Sequence, residues 1–147
     1  MRLMRAILGL RHLVPLVNAI ADGTHERAIT KKCDAALAAA DLLVMPGTDA
    51  DHVAVATGVT SVPFGPCNAP TDEAEESVGV MLLGKGPTKM GVASGAIAQN
   101  DRLTPAAGGK VATYTAGAAT WIGRALTAAA DGEPVEYADC VPTPISA

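Results

Sequence analysis

The stretch A-L-A-A-A-D-L-L at residues 36–43 returns as A-I-A-Q-N-D-R-L at residues 96–103, and this echo decides how the chain is read. Leu37, Asp41 and Leu43 fall on Ile97, Asp101 and Leu103, 60 positions later. Working outward, Val53 matches Val111, Gly65 in P-F-G-P matches Gly123 in W-I-G-R, and Val78-x-Val80 matches Val135-x-Tyr137. The offset drifts only from 60 to 58 to 57, so two units of similar length are expected at 34–89 and 94–138. A repeated unit of short strands cannot bury its apolar face alone and packs it against its twin. Each half is too small for an independent core, which predicts one β domain over 25–147 preceded by an arm at 1–24.

The local pattern supports strands. From His25 onward, short apolar runs alternate with Gly, Pro and Asp, and no stretch sustains an exposed amphipathic helix. Strands are predicted at 28–32, 42–45, 53–56, 62–67, 78–83, 90–93, 102–104, 110–114, 121–126 and 134–138. Strands this short and this regularly punctuated predict an all-β fold, a small antiparallel β-barrel or sandwich built from the two repeated halves. The stretches 34–40 and 94–100 are expected as loops, although alanine propensity could support one helical turn in the first.

Composition removes several functions. The 147 residues carry a formal charge of -4 and contain one Trp, two Tyr and one Phe. Neither a basic footprint for phosphates nor a base-stacking platform can be assembled from these, so no nucleic-acid partner is expected. The core must come from Val, Leu, Ile and Ala. Cys33, Cys67 and Cys140 show no metal-ligand spacing and are expected as small hydrophobes of a reducing compartment, with a Cys67–Cys140 bridge as the alternative.

Residues 1–21 mimic a secretory signal, with a basic start, an apolar stretch and A-I-A at 19–21. Arg11, His12 and Pro15 interrupt the apolar run, so neither a cleaved signal nor a membrane span is expected. Leu3, Ile7, Leu10 and Val14 at helical spacing fit a short basic amphipathic helix or a loose arm, and a translated upstream extension fits equally.

Four motifs suggest chemistry, and each has a plainer reading. Gly79-x4-Gly84-Lys85-Gly86 imitates a phosphate-binding loop, but Val80 to Leu83 reads as a buried strand and Gly86 stands where a magnesium-binding hydroxyl is needed. Asp49, Asp51 and His52 are the right ligand types for a divalent ion, yet three neighbours in a hairpin turn cannot wrap one. His52 is therefore expected as an exposed turn residue. The acidic run Asp72 to Glu76 reads as a solvated loop. Lys89-Met90 resembles the hairpin lysine of biotin and lipoyl carriers, but sits at the start of a strand rather than at a tight tip. His12, His25 and His52 have no neighbouring nucleophile and orienting acid. No catalytic, cofactor-binding or metal residues are assigned, no cofactor is expected, and the chain is read as a non-enzyme.

Three segments carry a family resemblance: N-A-I-A-D-G-T-H-E-R-A-I-T at 18–30, L-L-V-M-P-G-T-D-A-D-H-V-A-V at 42–55 and W-I-G-R-A-L-T-A-A-A-D-G-E-P-V-E-Y at 121–137. Together they resemble the small capsid cement, or head decoration, proteins of tailed bacteriophages. The resemblance runs from about Asn18 to the C-terminus, and residues 1–17 have no counterpart in it. It implies a β-rich, cofactor-free protein made in the host cytoplasm and bound to the outer capsid surface of the virion. Its implied partners are the major capsid protein and two further copies in a homotrimer, with no membrane. The base of a head fibre would look the same in sequence, and a small β carrier or ligand-binding module is the rival class. Residues 22–32 and the Pro-rich tail 141–147 are the candidates for arms that pair with capsid strands.

Overall fold

The computed structural model describes residues 27–147, so the expected arm at 1–24, with His12 and His25, lies outside the described residues. Ten strands follow in order: β1 (Ala28–Cys33), β2 (Leu43–Pro46), β3 (His52–Val55), β4 (Gly65–Pro66), β5 (Ser77–Met81), β6 (Lys89–Val92), β7 (Arg102–Pro105), β8 (Val111–Thr113), β9 (Ala119–Ala125) and β10 (Pro134–Ile145). A short 3-10 turn at Ala107–Gly109 separates β7 from β8. The fold is all-β, and each predicted strand has a counterpart. Among the described residues no helix is long and apolar enough to cross a membrane.

The strands form two five-stranded sheets, β4-β2-β3-β1-β5 and β6-β10-β9-β7-β8. A bridge between Cys67 and Val80 joins the ends of the first, and one between Ala93 and Val111 joins the ends of the second. Each sheet thus curls towards a small ring, which leaves few open strand edges for edge-to-edge association. The strands are not all antiparallel, as the sequence had suggested. β1 runs parallel to β3, with Cys33 opposite Val53. The Ala93–Val111 bridge is parallel too. The cause is connectivity: β2 lies between β1 and β3 in sequence and pairs antiparallel to β3, so β3 returns in the direction of β1.

Cyclic order and register match between the rings. Val44 faces Gly65 in the first, and Leu103 faces Gly123 in the second. Pro46 faces Val53 as Pro105 faces Val111, and Lys31 faces Val78 as Gly91 faces Val135. Loops 34–40 and 94–100 stay non-helical because Leu37 bridges to Thr71 and Ile97 to Ala129, which commits both backbones to tertiary hydrogen bonds. One expected match slips. Asp41 N donates to Cys67 O and Asn100 N to Ala125 O, each 2.8–2.9 Å, so Asn100 and not Asp101 stands in the place of Asp41. Leu103 accordingly corresponds to Val44 rather than Leu43.

Two further expectations need correction. The run 62–67 yields only the two-residue β4, because Pro63 and Pro66 have no N–H to give a ladder. The last strand does not stop at 138: β10 continues to Ile145, with Thr143, Pro144 and Ile145 opposite Trp121, Thr120 and Ala119 of β9. Pro142 and Pro144 are tolerated because β6 covers only Pro134–Tyr137, leaving the outer side of β10 beyond that point without a strand partner. The Pro-rich tail is therefore a strand and not a free arm. Residues from Ala28 onward are likewise committed, as β1 sits between β3 and β5.

Each ring encloses a core. Cys33, Leu37, Leu42, Val44, Val53, Cys67, Val78 and Val80 fill the first. Ala93, Ile97, Leu103, Val111, Ala125, Val135 and Tyr137 are buried in the second, joined there by Leu43, Ala56 and Leu83 from the first half of the chain. Polar contacts add to this apolar junction. Thr104 Oγ1 and Thr120 N donate to Val59 O at 3.1 and 2.7 Å, and Gly109 N donates to Ala56 O at 2.9 Å. All three cysteines are free thiols, Cys33 and Cys67 fully buried and Cys140 partly so, and no Cys67–Cys140 bridge forms. Burial pushes the Cys67 and Cys140 thiols above their ordinary range.

Candidate functional site

The Gly-rich segment after β5 connects the two halves, and its geometry is that of a clamped turn. Gly84 and Gly86 both hold positive φ, at 75° and 91°. Gly84 N donates to Asp139 Oδ2 at 2.5 Å. Lys89, first residue of β6, turns its ammonium back under this turn, donating to Pro87 O at 2.8 Å and Lys85 O at 3.1 Å, with Asp139 Oδ2 at 3.7 Å. The side chains of Lys89 and Asp139 are only 3% and 5% exposed. The Gly84 N–H and the nearby Lys89 cation are thus used internally, which removes the phosphate-loop reading. It removes the carrier reading as well, since a buried lysine amine cannot take a prosthetic group.

Beside this turn lies an apolar groove of about 440 Å3. One wall comes from Val62, Pro63 and Phe64, whose backbone is held by Phe64 N to Val44 O and by Leu83 N to Phe64 O, both 2.8 Å. The other comes from Val141 and Pro142 of β10, and Pro46 and Leu82 also contribute to the lining. Val141 is aimed outward by a break in register. Asp139 faces Gly123 and Thr143 faces Trp121, so four steps along β10 match two along β9 and the intervening residues bulge. Val62 and Val141 remain 49% and 64% exposed, two of the five large hydrophobics left in solvent among the described residues. The sequence reading missed this groove. The only signal was the clustering of Pro with large apolar residues at 62–66 and 141–145, which is equally a signature of strand ends.

The T-D-A-D-H segment makes a polar strap. His52 opens β3, and its side chain is 12% exposed, not the free turn residue expected. Its Nδ1 lies 2.7 Å from Asp49 Oδ1 and its Nε2 2.9 Å from Glu75 Oε1. Two carboxylate partners favour the doubly protonated ring, so both nitrogens donate and the imidazole's affinity for its proton rises, while Asp49 and Glu75 fall below the usual carboxylate range. Lys32 Nζ completes the strap at 3.2 Å from Glu75 Oε2. Asp51 is exposed and contributes its backbone carbonyl to Lys32 N. Glu75 and Glu76 of the acidic run are engaged, the latter capping Asp72 N at 3.0 Å. Among the described residues no group of three His, Cys, Asp or Glu is arranged to hold a metal ion.

No family model matches the chain, and no curated protein is significantly similar to it. Among solved structures, the N base of the head fibre protein gp8.5 of bacteriophage phi29 superposes with a TM-score of 0.64. The match covers 79% of this chain and 95% of that one, at 18% sequence identity. The two share a fold.

Proposed function

We propose that this chain is a structural protein of a tailed-phage head, bound to the outside of the capsid shell as a decoration, or cement, protein. The likeness of fold to almost the whole of a head-fibre base carries the reading, and the sequence resemblance to cement proteins agrees with it. The chemistry of the surface points the same way. Lys89 and the Gly84 N–H are used internally, so the Gly-rich turn presents no pocket of convergent polar groups of the kind a small-molecule site needs. The partner would be the major capsid protein, and the chain would act by clamping neighbouring capsid subunits, without catalysis. Matched ring order and register support a single duplicated unit as the origin of both halves. Both rings are filled by Val and Leu more than by large aromatics, so association into a homotrimer would add burial and satisfy each copy of the interface in closed form.

The base of a head fibre is a second reading, favoured by the same structural likeness. Mixing the purified protein with expanded shells of the matching phage and imaging them by cryo-electron microscopy tests both. Stoichiometric density at local three-fold positions supports the cement role, density carrying a projecting fibre supports the second reading, and bare shells overturn both. Light scattering should give about three times the 14.8 kDa chain mass if the trimer forms in solution.

A further inference from the structure

We infer that the apolar groove between Val62, Phe64 and Val141 is the docking site of this chain's own N-terminal segment, through the apolar residues at 13–20. The inference goes beyond the capsid role and does not depend on it. Two observations on separate parts of the molecule meet here. The first is where the described chain begins. Leu82 N donates to Arg27 O at 2.8 Å, and Ala28 faces Met81 at the start of the antiparallel β1–β5 pair. Followed backwards from β1, the chain therefore leaves alongside residues 82–86, and the stem of Arg27 lies against Gly86, where a Cβ would meet Arg27 Cδ at 2.7 Å. Leu82, Leu83 and Lys85 of that same segment line the groove. The described chain thus starts at the groove's rim, and six or so preceding residues at roughly 3.3 Å each could reach about 20 Å from it.

The second observation is what those residues are. L-V-P-L-V-N-A-I at 13–20 offers Leu13, Val14, Leu16, Val17 and Ile20, with Pro15 inside. Proline disfavours a helix at that point and favours an extended course. Pro46, Pro63 and Pro142 around the groove lack backbone donors, so its walls recognise apolar side chains rather than a hydrogen-bonding strand edge. Removing these side chains and the exposed Val62 and Val141 from water together is the driving force.

The full chain carrying p-benzoylphenylalanine in place of Val62 provides the test, because Val62 is half exposed and tolerates the change. After irradiation and trypsin, residues 12–27 form one peptide between Arg11 and Arg27. The expected result is a cross-link within one chain to that peptide, with the yield cut at least fivefold by Val17→Asp, while the same probe at Leu126, exposed elsewhere, does not reach it. A cross-link to a second copy overturns docking by the chain's own segment, as does a cross-link to any other peptide, no cross-link, or a yield unmoved by Val17→Asp.

Discussion

The two rings solve one packing problem with different side chains. At matched register, Val44 and Leu103, Val53 and Val111, and Val78 and Val135 differ by a methylene or nothing. The contrast is at Val80 and Tyr137, each fully buried. The larger ring side chain is offset by smaller neighbours: Ala93 stands where the first ring has Cys33, Ala125 where it has Cys67, and Gly91 where it has Lys31. A Cβ on Gly91 would come within 3.2 Å of Tyr137 Cε1. Interior volume is conserved by compensation within each ring, so the backbone geometry is the invariant and the side chains are adjusted to it.

The backbone should therefore tolerate least. Gly65 and Gly123 face Val44 and Leu103 at φ of 158° and 155°. A Cβ at either would collide with a carbonyl of the neighbouring strand, Met81 O in one ring and Ala138 O in the other. Gly65→Ala and Gly123→Ala should each cost more than about 4 kcal/mol, the range reserved for strained backbone and core clashes. Chemical denaturation of both variants checks this, and a mild effect at one glycine but not the other would break the equivalence of the rings.

A second difference is electrostatic. The buried Lys89–Asp139 pair occupies the positions held in the first ring by Ile29 and Leu82. Lys89→Met strands a desolvated carboxylate and should cost about 3 kcal/mol or more. Lys89→Met with Asp139→Leu, the apolar arrangement of the twin, should recover most of that loss even though Gly84 N gives up its acceptor. A double variant no better than the single would show that the ion pair is needed to hold the turn between the halves.

Core swaps sharpen the volume argument. Tyr137→Val leaves a cavity among small neighbours and should cost roughly 2–3 kcal/mol. Val80→Tyr overfills the first ring and should cost about 1–3 kcal/mol, relieved by Cys33→Ala and Cys67→Ala together. Tyr137→Phe should be neutral or slightly stabilising, because the Tyr137 hydroxyl is buried without a partner and its loss removes an unmet hydrogen-bonding group. Melting curves of these variants at the four positions would decide whether compensation is local to each ring.

Much of this fold was readable because its strands are short and punctuated. Gly and Pro fix where runs end, and Gly65 and Gly123 announce a close backbone approach within apolar runs. What escaped the sequence was long-range. The closure of each sheet rests on single bridges at Cys67–Val80 and Ala93–Val111, and isolated bridges leave no periodic signature. The letter match of Asp41 to Asp101 misled by one position because the left-handed slot accepts Asp or Asn alike, with φ of 63° at Asp41 and 73° at Asn100. The groove and the strap stayed hidden for a related cause: both are made by residues brought together from distant segments, and no local pattern encodes such a meeting.

The smallest expected effect concerns the turn that precedes β5 and β10. Glu75 and Gly132 occupy corresponding positions, as Glu75 N donates to Cys33 O and Gly132 N to Ala93 O, and their φ values are 67° and 79°. Glycine adopts this conformation freely, whereas glutamate is strained there. The first ring keeps the strained residue, and its carboxylate is what binds His52 and Lys32. Glu75→Gly should thus relieve backbone strain and break the strap, and pH separates the two. The His52 proton affinity is raised in the folded state, so its share of stability is fully present below the ordinary value of 6.5 and lost as pH climbs through the raised one. Glu75 is lowered, so its share is present above its ordinary value of 4.5 and lost as pH drops through the lowered one. Asp49 behaves in the same sense. The advantage of the wild-type chain over Glu75→Gly should peak between 4.5 and 6.5 and shrink on both sides, leaving the Lys32 contribution and the glycine's strain relief at alkaline pH. Melting temperatures of the two proteins from pH 4 to pH 9 check this, and a difference independent of pH would show that Glu75 is retained for a reason other than His52.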